Sequence, residues 1–490
     1  MLLLRAYTRL IPLLACATLN PIAMGAQEGP RYAHTGSTLI TNIRLIDGLG
    51  NDPLEHRDIV IIDGRIAAIA PTGTVERPTD ALHIDGAGLT ALPGLIDMHI
   101  HLKGGWTGGN ALPEKYSAGR TDPELQQTLS AFLYAGVTTV LDMGNPTAWA
   151  ATQRDRIERG EFLGPRFFTT GMPFSQDPSG WDGAVRVETV GEPDPSELTT
   201  KVTSPDPEAL RASLQPYLDH EIEIIKLYSG MSALGATFLL REAKKLGIKA
   251  VADLWQLNMD ADWMRMTGLD GWGHSSPFPV SNAANAWMAT NDRFVIATAN
   301  VGEKMSGLRV RSDTTESFFT NRLVVDIWGE EVVRDFYSSY PDVRHNLYDG
   351  PHSFYQVYNF GDLTGFRDAF LTNIKNAYDA GVLIAGGTDA PAYPSLWSGE
   401  TMHRELELFV MAGISPIEAI RMCTFNAARI LERANSFGSL REGLSADILI
   451  VEGNPAVTIS DTRNVRHVFL RGKEIDLASL THALADPDAP

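Results

Sequence analysis

Two cysteines in 490 residues are too few for a disulfide framework, and only Cys423 lies outside the N-terminal segment. Once that segment is removed, no intramolecular disulfide can form, even in an oxidising compartment. Positive charge is scarce as well: 41 Lys and Arg stand against 60 Asp and Glu, a net charge of -19. Phosphate backbones and anionic lipids select clustered Lys and Arg, so no nucleic acid and no membrane surface is expected as partner, but a small-molecule substrate is. No later run is apolar and long enough to span a bilayer. The sequence also lacks an internal repeat of fixed period and any low-complexity tract.

What is present suits a globular, ordered chain. A hydrophobic content of 44% can fill a large domain and a smaller one. The start, "MLLLRAYTRLIPLLACATLNPIAMGAQEG", carries Arg5 and Arg9, an apolar run from Leu10 and small residues near Ala26. Residues 1–26 read as a cleaved secretory signal, which implies a periplasmic or secreted protein. The alternative reads "LLAC" as a lipoprotein box that would put a lipid anchor on Cys16, although the apolar run before it, Leu10 to Ala15, is short. A homo-oligomer is compatible with the sequence.

Residues 27–92 and 436–490 are both rich in short β-like runs, such as "TLITNIRLID" and "GLSADILIVEG", punctuated by Gly, Asn and Asp. Paired, they would form one small β-sandwich. Between them, residues 93–435 alternate helical patterns with eight apolar runs: "LIDMHIH", "VTTVLDMG", "RFFTTG", "EIIKLYSG", "KAVADLW", "DGWGHSS", "RFVIATAN" and "VLIAGGTD". This alternation predicts an α/β fold, a (β/α)8 TIM barrel, with its site at the carboxyl ends of the strands. The segment "HRELELFVMAGISPIEAIRMCTFNAARILE" predicts two helices, the first ended by Gly413 and the second begun by Ser415, Pro416 and a capping-box Glu418. Cys423 falls in the second as a packing residue. The long connection from Asn300 to Tyr378 is rich in aromatics and reads either as a lid or as extra packed helices.

Five positions carry the chemistry. In a strand, residues two apart face one side, so His99 and His101 would point inward together and can share a metal; alone, the pair is more often packing. Lys226, set among Ile224, Ile225 and Leu227, needs a partner or a changed charge if buried. Reaction with carbon dioxide would turn it into a carbamate bridging two metals; pairing with Asp253 or Asp389 is the other reading. His274 in "GWGHSS" and Asp389 in "IAGGTDAP" each end a predicted strand, where capping or hydrogen bonding is the ordinary role.

Taken in order, "GLIDMHIH", Lys226, His274, "GTDAP" and the tail "GSLREGLSADILIVEGNP" resemble the amidohydrolase superfamily, in its imidazolonepropionase-like and Xaa-Pro dipeptidase-like branch. The resemblance runs from Thr38 to about Ile475. It implies two divalent metal ions, with zinc expected and manganese or cobalt acceptable. His99, His101 and Asp389 would hold one, carboxylated Lys226 would bridge, and His274 would serve the other. Where the family usually has a histidine on the fifth strand, this chain has Asp253 in "KAVADLWQ". A carboxylate oxygen binds zinc at about the distance of an imidazole nitrogen, roughly 2.0 to 2.2 Å, so Asp253 is kept as a ligand, with a mononuclear site as the alternative.

The implied reaction is hydrolysis of an amide or peptide-like carbon–nitrogen bond by a metal-bound hydroxide, with Asp389 as general base and then acid. N-acyl amino acids, dipeptides and aromatic amides are the expected substrates. Tyr228, two residues after Lys226, would face the same side and either meet the substrate or pack at the mouth. His403 and His352 match no motif, and surface or capping roles suit them. Two other classes stay open: a metal-dependent lyase or decarboxylase, and a metal-poor extracytoplasmic binding protein on the same fold.

Overall fold

The computed structural model describes residues 29–102, 121–175, 200–201, 206–228, 231, 233–253, 261–306, 320–338, 365–391 and 396–481. The expected signal segment with Cys16, the position of His352, and much of the aromatic connection lie outside these residues.

All eight apolar runs form strands: β1 (Leu95–Ile100), β2 (Val137–Asp142), β3 (Arg166–Thr169), β4 (Ile224–Leu227), β5 (Lys249–Ala252), β6 (Gly271–Trp272), β7 (Phe294–Ile296) and β8 (Leu383–Ala385). They are apolar on both faces because parallel strands are covered by helices on one side and packed against each other on the other. In β1 and β2 every residue is buried. Strands β1, β2 and β3 pair in parallel. Strands β4 to β8 pair in parallel in a second sheet, in chain order. Phe174, just beyond β3, pairs with Leu227 at the end of β4. On the other side, Ile100 of β1 bridges Ala390 beyond β8 in parallel, and Asp389 N donates to His99 O at 2.7 Å. Gly387 permits this approach, since a Cβ there would lie 2.8 Å from His99 Cβ.

Helices separate the strands. Asp122–Tyr134 follows β1 and begins with a complete capping box at Thr121 and Glu124. Ala233–Lys245 follows β4, and Asn282–Thr290 follows β6. After β8, helices Glu400–Met411 and Pro416–Arg421 occupy the predicted positions, with Gly413 at φ +90° between them. Ser415 Oγ accepts from Glu418 N, but the expected box is only half made, because the Glu418 carboxylate turns to Arg421 instead. The helix then widens into a π-type turn, Met422–Asn426, which buries Cys423 as expected. Part of the long connection is helical, over Arg322–Trp328 and Glu330–Ser338.

The two chain ends share a separate nine-stranded sheet. Strand Ile448–Glu452 lies between Leu89–Pro93 and Val465–Leu470, antiparallel to both. Ile40, Ile43, Ile59, Ile61, Ile448, Ile450 and Phe469 form its buried apolar side.

Candidate active site

The carboxyl ends of the parallel strands bring together every ligand candidate read from the sequence. His99 comes from β1, His101 follows it directly, and Lys226 comes from β4. Asp253 follows β5 directly, His274 lies two residues past β6, and Asp389 lies four past β8. All six are buried. His101 Nε2 lies 3.1 Å and His99 Nε2 3.4 Å from Asp389 Oδ1. Asp253 Oδ2 lies 3.0 Å from Lys226 Nζ and 3.1 Å from His274 Nε2. Of the two partners open to Lys226, the structure therefore gives it Asp253.

The protonation pattern follows from these contacts. His99 Nδ1 lies 2.7 Å from the Gly273 carbonyl, which can only accept, so the proton sits on Nδ1 and the Nε2 lone pair points into the site. Burial first, with His274, Lys226 and His101 close by, holds the His99 pKa well below the usual imidazole value, so the ring stays neutral. Among the described residues its buried Nε2 has no hydrogen-bond partner, and it faces a carboxylate oxygen. An acceptor facing an acceptor leaves a place for a cation. Asp253 shows a second such atom, its buried Oδ1, which has no hydrogen-bond partner. Burial alone would raise the Asp253 pKa, but the charges of His274 and Lys226 more than cancel it and hold the carboxyl well below its ordinary range.

These atoms form two groups suited to a divalent ion, His99 with His101 and Asp389, and His99 with Asp253 and His274; within each, the potential ligand atoms lie within 4.8 Å of one another. The donor set, imidazole nitrogens with carboxylate oxygens, fits zinc, manganese or cobalt. Orientation comes from a surrounding layer of hydrogen bonds, as metal-binding histidines commonly require. Beyond the Gly273 carbonyl on His99, Thr298 Oγ1 lies 2.7 Å from His274 Nδ1.

Tyr228 stands beside the cluster, with Lys226 Nζ 5.3 Å from its ring centroid, and is only partly buried. His403 corrects the surface role expected for it and keeps a capping one, since its partner Ala135 is the C-cap of helix Asp122–Tyr134. It is fully buried, with Nε2 2.9 Å from the Ala135 carbonyl and Nδ1 3.0 Å from Thr462 Oγ1, and it ties helix Glu400–Met411 to the C-terminal segment.

Sequence reasoning missed several supporting groups. Asp97 lies two residues before His99 on the same side of β1, a signal the alternation could have shown. It accepts from Thr388 N and Thr388 Oγ1 and so ties β1 to the loop bearing Asp389. Burial, opposed by those hydrogen bonds, lifts its pKa to about 7. Asp142, at the end of β2, accepts from Leu102 N, Asn145 and Thr169 and anchors the backbone just past His101. Thr298 and Glu405 had no signal of spacing at all. A cavity of about 1070 Å³ is lined by residues such as Arg166, Phe168, Phe437 and Arg471 and contains none of the six ligand candidates, so it is separate from this cluster.

Parallel strands thus present a buried cluster of imidazoles, carboxylates and a lysine at their carboxyl ends, a candidate site for a divalent ion. The chain belongs to the amidohydrolase family, whose profile matches residues 90–292 and 364–475. It is thus an enzyme of the class that hydrolyses carbon–nitrogen bonds. Over 94% of its length it is 24% identical to 91% of an ochratoxinase from Aspergillus niger. An enamidase from Eubacterium barkeri is 33% identical over 111 residues, a match that spans 22% of this chain and 26% of the enamidase. The fold is shared with the crystal structure of a Xaa-Pro dipeptidase with methionine bound in its active site, with a TM-score of 0.65 and 22% identity over 90% of this chain and 99% of the dipeptidase. The resemblance to the amidohydrolase superfamily is borne out.

Proposed function

We propose that this protein is a divalent-metal-dependent hydrolase of amide or peptide-like bonds, with His99, His101, Lys226, Asp253, His274 and Asp389 as its metal site and Asp389 as the proton-transfer group. The observation that carries the reading is the neutral His99 ring, whose Nε2 lone pair faces Asp389 Oδ1 across 3.4 Å with no proton between them. Two ions are the preferred occupancy, because Lys226, Asp253 and His274 stand together beside the His99, His101 and Asp389 group and could complete a second site. When bound, the ions would acidify a solvent molecule and polarise the scissile carbonyl.

The chain's own residues do the rest. Asp389 is held with its Oδ1 toward both histidines by the bond from its N–H to His99 O, so its second oxygen is the atom we assign to taking a proton from the attacking water and returning it to the departing amine. Burial of the cluster excludes bulk water and strengthens each charge interaction. Tyr228, partly exposed beside Lys226, is assigned to the substrate. Carbon dioxide remains the proposed modifier of Lys226: Nζ, as the neutral amine released from its contact with Asp253, would add to CO2, forming the N–C bond of the carbamate and giving one proton to solvent. N-acyl amino acids, dipeptides and aromatic amides are the proposed substrates; the ochratoxinase, enamidase and Xaa-Pro dipeptidase relatives support this range by name.

The same reading takes residues 93–435 as one closed (β/α)8 barrel, supported by the bonds between β1 and the segment after β8, and takes residues 27–92 and 436–490 as a single β-sandwich. Export to the periplasm or medium is proposed on the N-terminal pattern alone, and N-terminal sequencing of the mature protein tests it. For the activity, the test is elemental analysis of purified protein with a screen of N-acyl amino acids, Xaa-Pro dipeptides and aryl amides. Two ions per chain and release of a free amine are expected; a metal-free protein inert to all three classes after addition of zinc and bicarbonate refutes the proposal.

A further inference from the structure

We infer that Thr298 is a positioning residue that fixes the ring of His274 for metal binding, and that Glu405, from the helix after β8, holds Thr298 in place. This rests on the proposal that His274 ligates a metal, and goes beyond it to how that ligand is aimed.

Thr298 follows β7 with φ +45° and ψ +48°, a left-handed conformation that β-branched residues rarely adopt. Something must hold it there, since such a conformation costs about 1–3 kcal/mol and persists only where its surroundings impose it. The next two residues show what does. Ala299 N donates to Glu405 Oε1 at 2.8 Å, and Asn300 N donates to Glu405 Oε2 at 3.0 Å. The Asn300 side chain adds bonds to Glu405 Oε2 at 2.7 Å and to the Thr401 carbonyl at 3.0 Å. Thr401 and Glu405 are one helical turn apart on Glu400–Met411, so one helix face grips both the backbone and the side chain beyond Thr298.

The grip places Thr298 Oγ1 at 2.7 Å from His274 Nδ1, while His274 Nε2 lies 3.1 Å from Asp253 Oδ2. Toward the Asp253 carboxylate, which can only accept, Nε2 donates a proton; were a cation to displace that proton, an Nδ1–H bond to Thr298 Oγ1 would keep the Nε2 lone pair aimed at it, as the Gly273 carbonyl does for His99. Segments after β7 and β8 thereby orient a ligand that follows β6.

The test uses the full-length mature protein stripped of metal and titrated with Zn2+ alone in competition with a chromogenic chelator. Four variants are compared with wild type: Thr298→Ser, Thr298→Ala, Thr298→Gly and His274→Ala. Ala and Gly both lack the hydroxyl, and Gly also relieves the left-handed backbone, so a folded, thermally stable Gly variant separates the hydroxyl from the fold. The expected result is wild-type zinc affinity for Ser and a loss of about 10–100-fold at the weaker site for Ala and Gly, in the direction of His274→Ala. Cobalt-loaded protein adds a second readout: its visible absorption should be unchanged for Ser and altered for Gly. If His274→Ala loses zinc while Thr298→Gly binds it like wild type with the same cobalt spectrum, the inference is overturned and the metal site stands. If His274→Ala also binds like wild type, both fall.

Discussion

Replacing Glu405 by Gln should abolish a large pH dependence of stability. Glu405 is completely buried, and burial lifts its pKa from 4.5 to about 8 despite the three N–H groups that donate to it. The direction is opposite to that of a salt-bridged carboxylate: between these two values the folded protein keeps a proton that the unfolded chain has released. Stability is therefore highest below the unfolded pKa and is lost as pH rises, by about 1.4 kcal/mol per pH unit, until the folded group ionises. From about pH 5 to about pH 8 the loss integrates to roughly 3 to 4 kcal/mol. The amide of Gln cannot ionise, so Glu405→Gln lacks this slope. Its NH2 must face a backbone N–H or the Asn300 amide, which costs roughly 1–3 kcal/mol at every pH and cancels when the two pH values are compared. The assay is urea unfolding of metal-free wild type and variant, followed by tryptophan fluorescence. The variant should be the weaker protein at the acid end and should gain on wild type as pH rises. A gap between the two proteins that is equal at both pH values would refute the assignment of a buried, protonated Glu405.

Three further outcomes can be checked. Asp389→Asn should lower kcat about 10²–10⁴-fold while elemental analysis still finds metal, since an amide oxygen can ligate but cannot shuttle a proton; unchanged turnover would remove Asp389 from proton transfer. Lys226→Met in metal-free protein removes one of the two groups facing the buried Asp253 carboxylate, leaving it to His274, and should cost on the order of 3 kcal/mol in urea unfolding. Because the folded Asp253 pKa is depressed, its pairing contributes above the unfolded value of 3.8 and is lost as pH falls, so the penalty should shrink in acid; a penalty independent of pH would count against the pair. Gly399→Ala should lower the thermal midpoint, because Gly399 has φ +79° and a Cβ there would sit 2.3 Å from the Ala131 carbonyl oxygen, a backbone atom that cannot step aside; a midpoint equal to wild type would mean that the helices Asp122–Tyr134 and Glu400–Met411 separate freely.

The strands were legible because their cause is local: a segment covered on both faces must be apolar along its length, and "VTTVLD" or "EIIKL" can be read as such without any partner. The six ligand candidates were legible for a related reason, each being a polar residue interrupting or ending such a run. Lys226 could be seen to need a partner, but not which one, because the choice between Asp253 and Asp389 depends on two loops that meet only in three dimensions. His403 was misjudged because its partners, Ala135 and Thr462, are remote in sequence from it and from each other. The Thr298 conformation and the Glu405 grip likewise arise from contacts across about a hundred residues, and neither residue type is unusual where it stands.

The mixed sheet has a consequence for synthesis. Its strand Leu89–Pro93 pairs with a strand that starts at Ile448, so during translation the amino-terminal part of the sheet must wait with an open edge while the whole catalytic region is made. Such an edge is a template for wrong pairing, and a nascent chain carrying it gains from chaperone cover or from delayed folding. Premature termination before Ile448 should thus yield aggregates rather than a smaller active enzyme, and the last strands act as the clasp that makes the product durable.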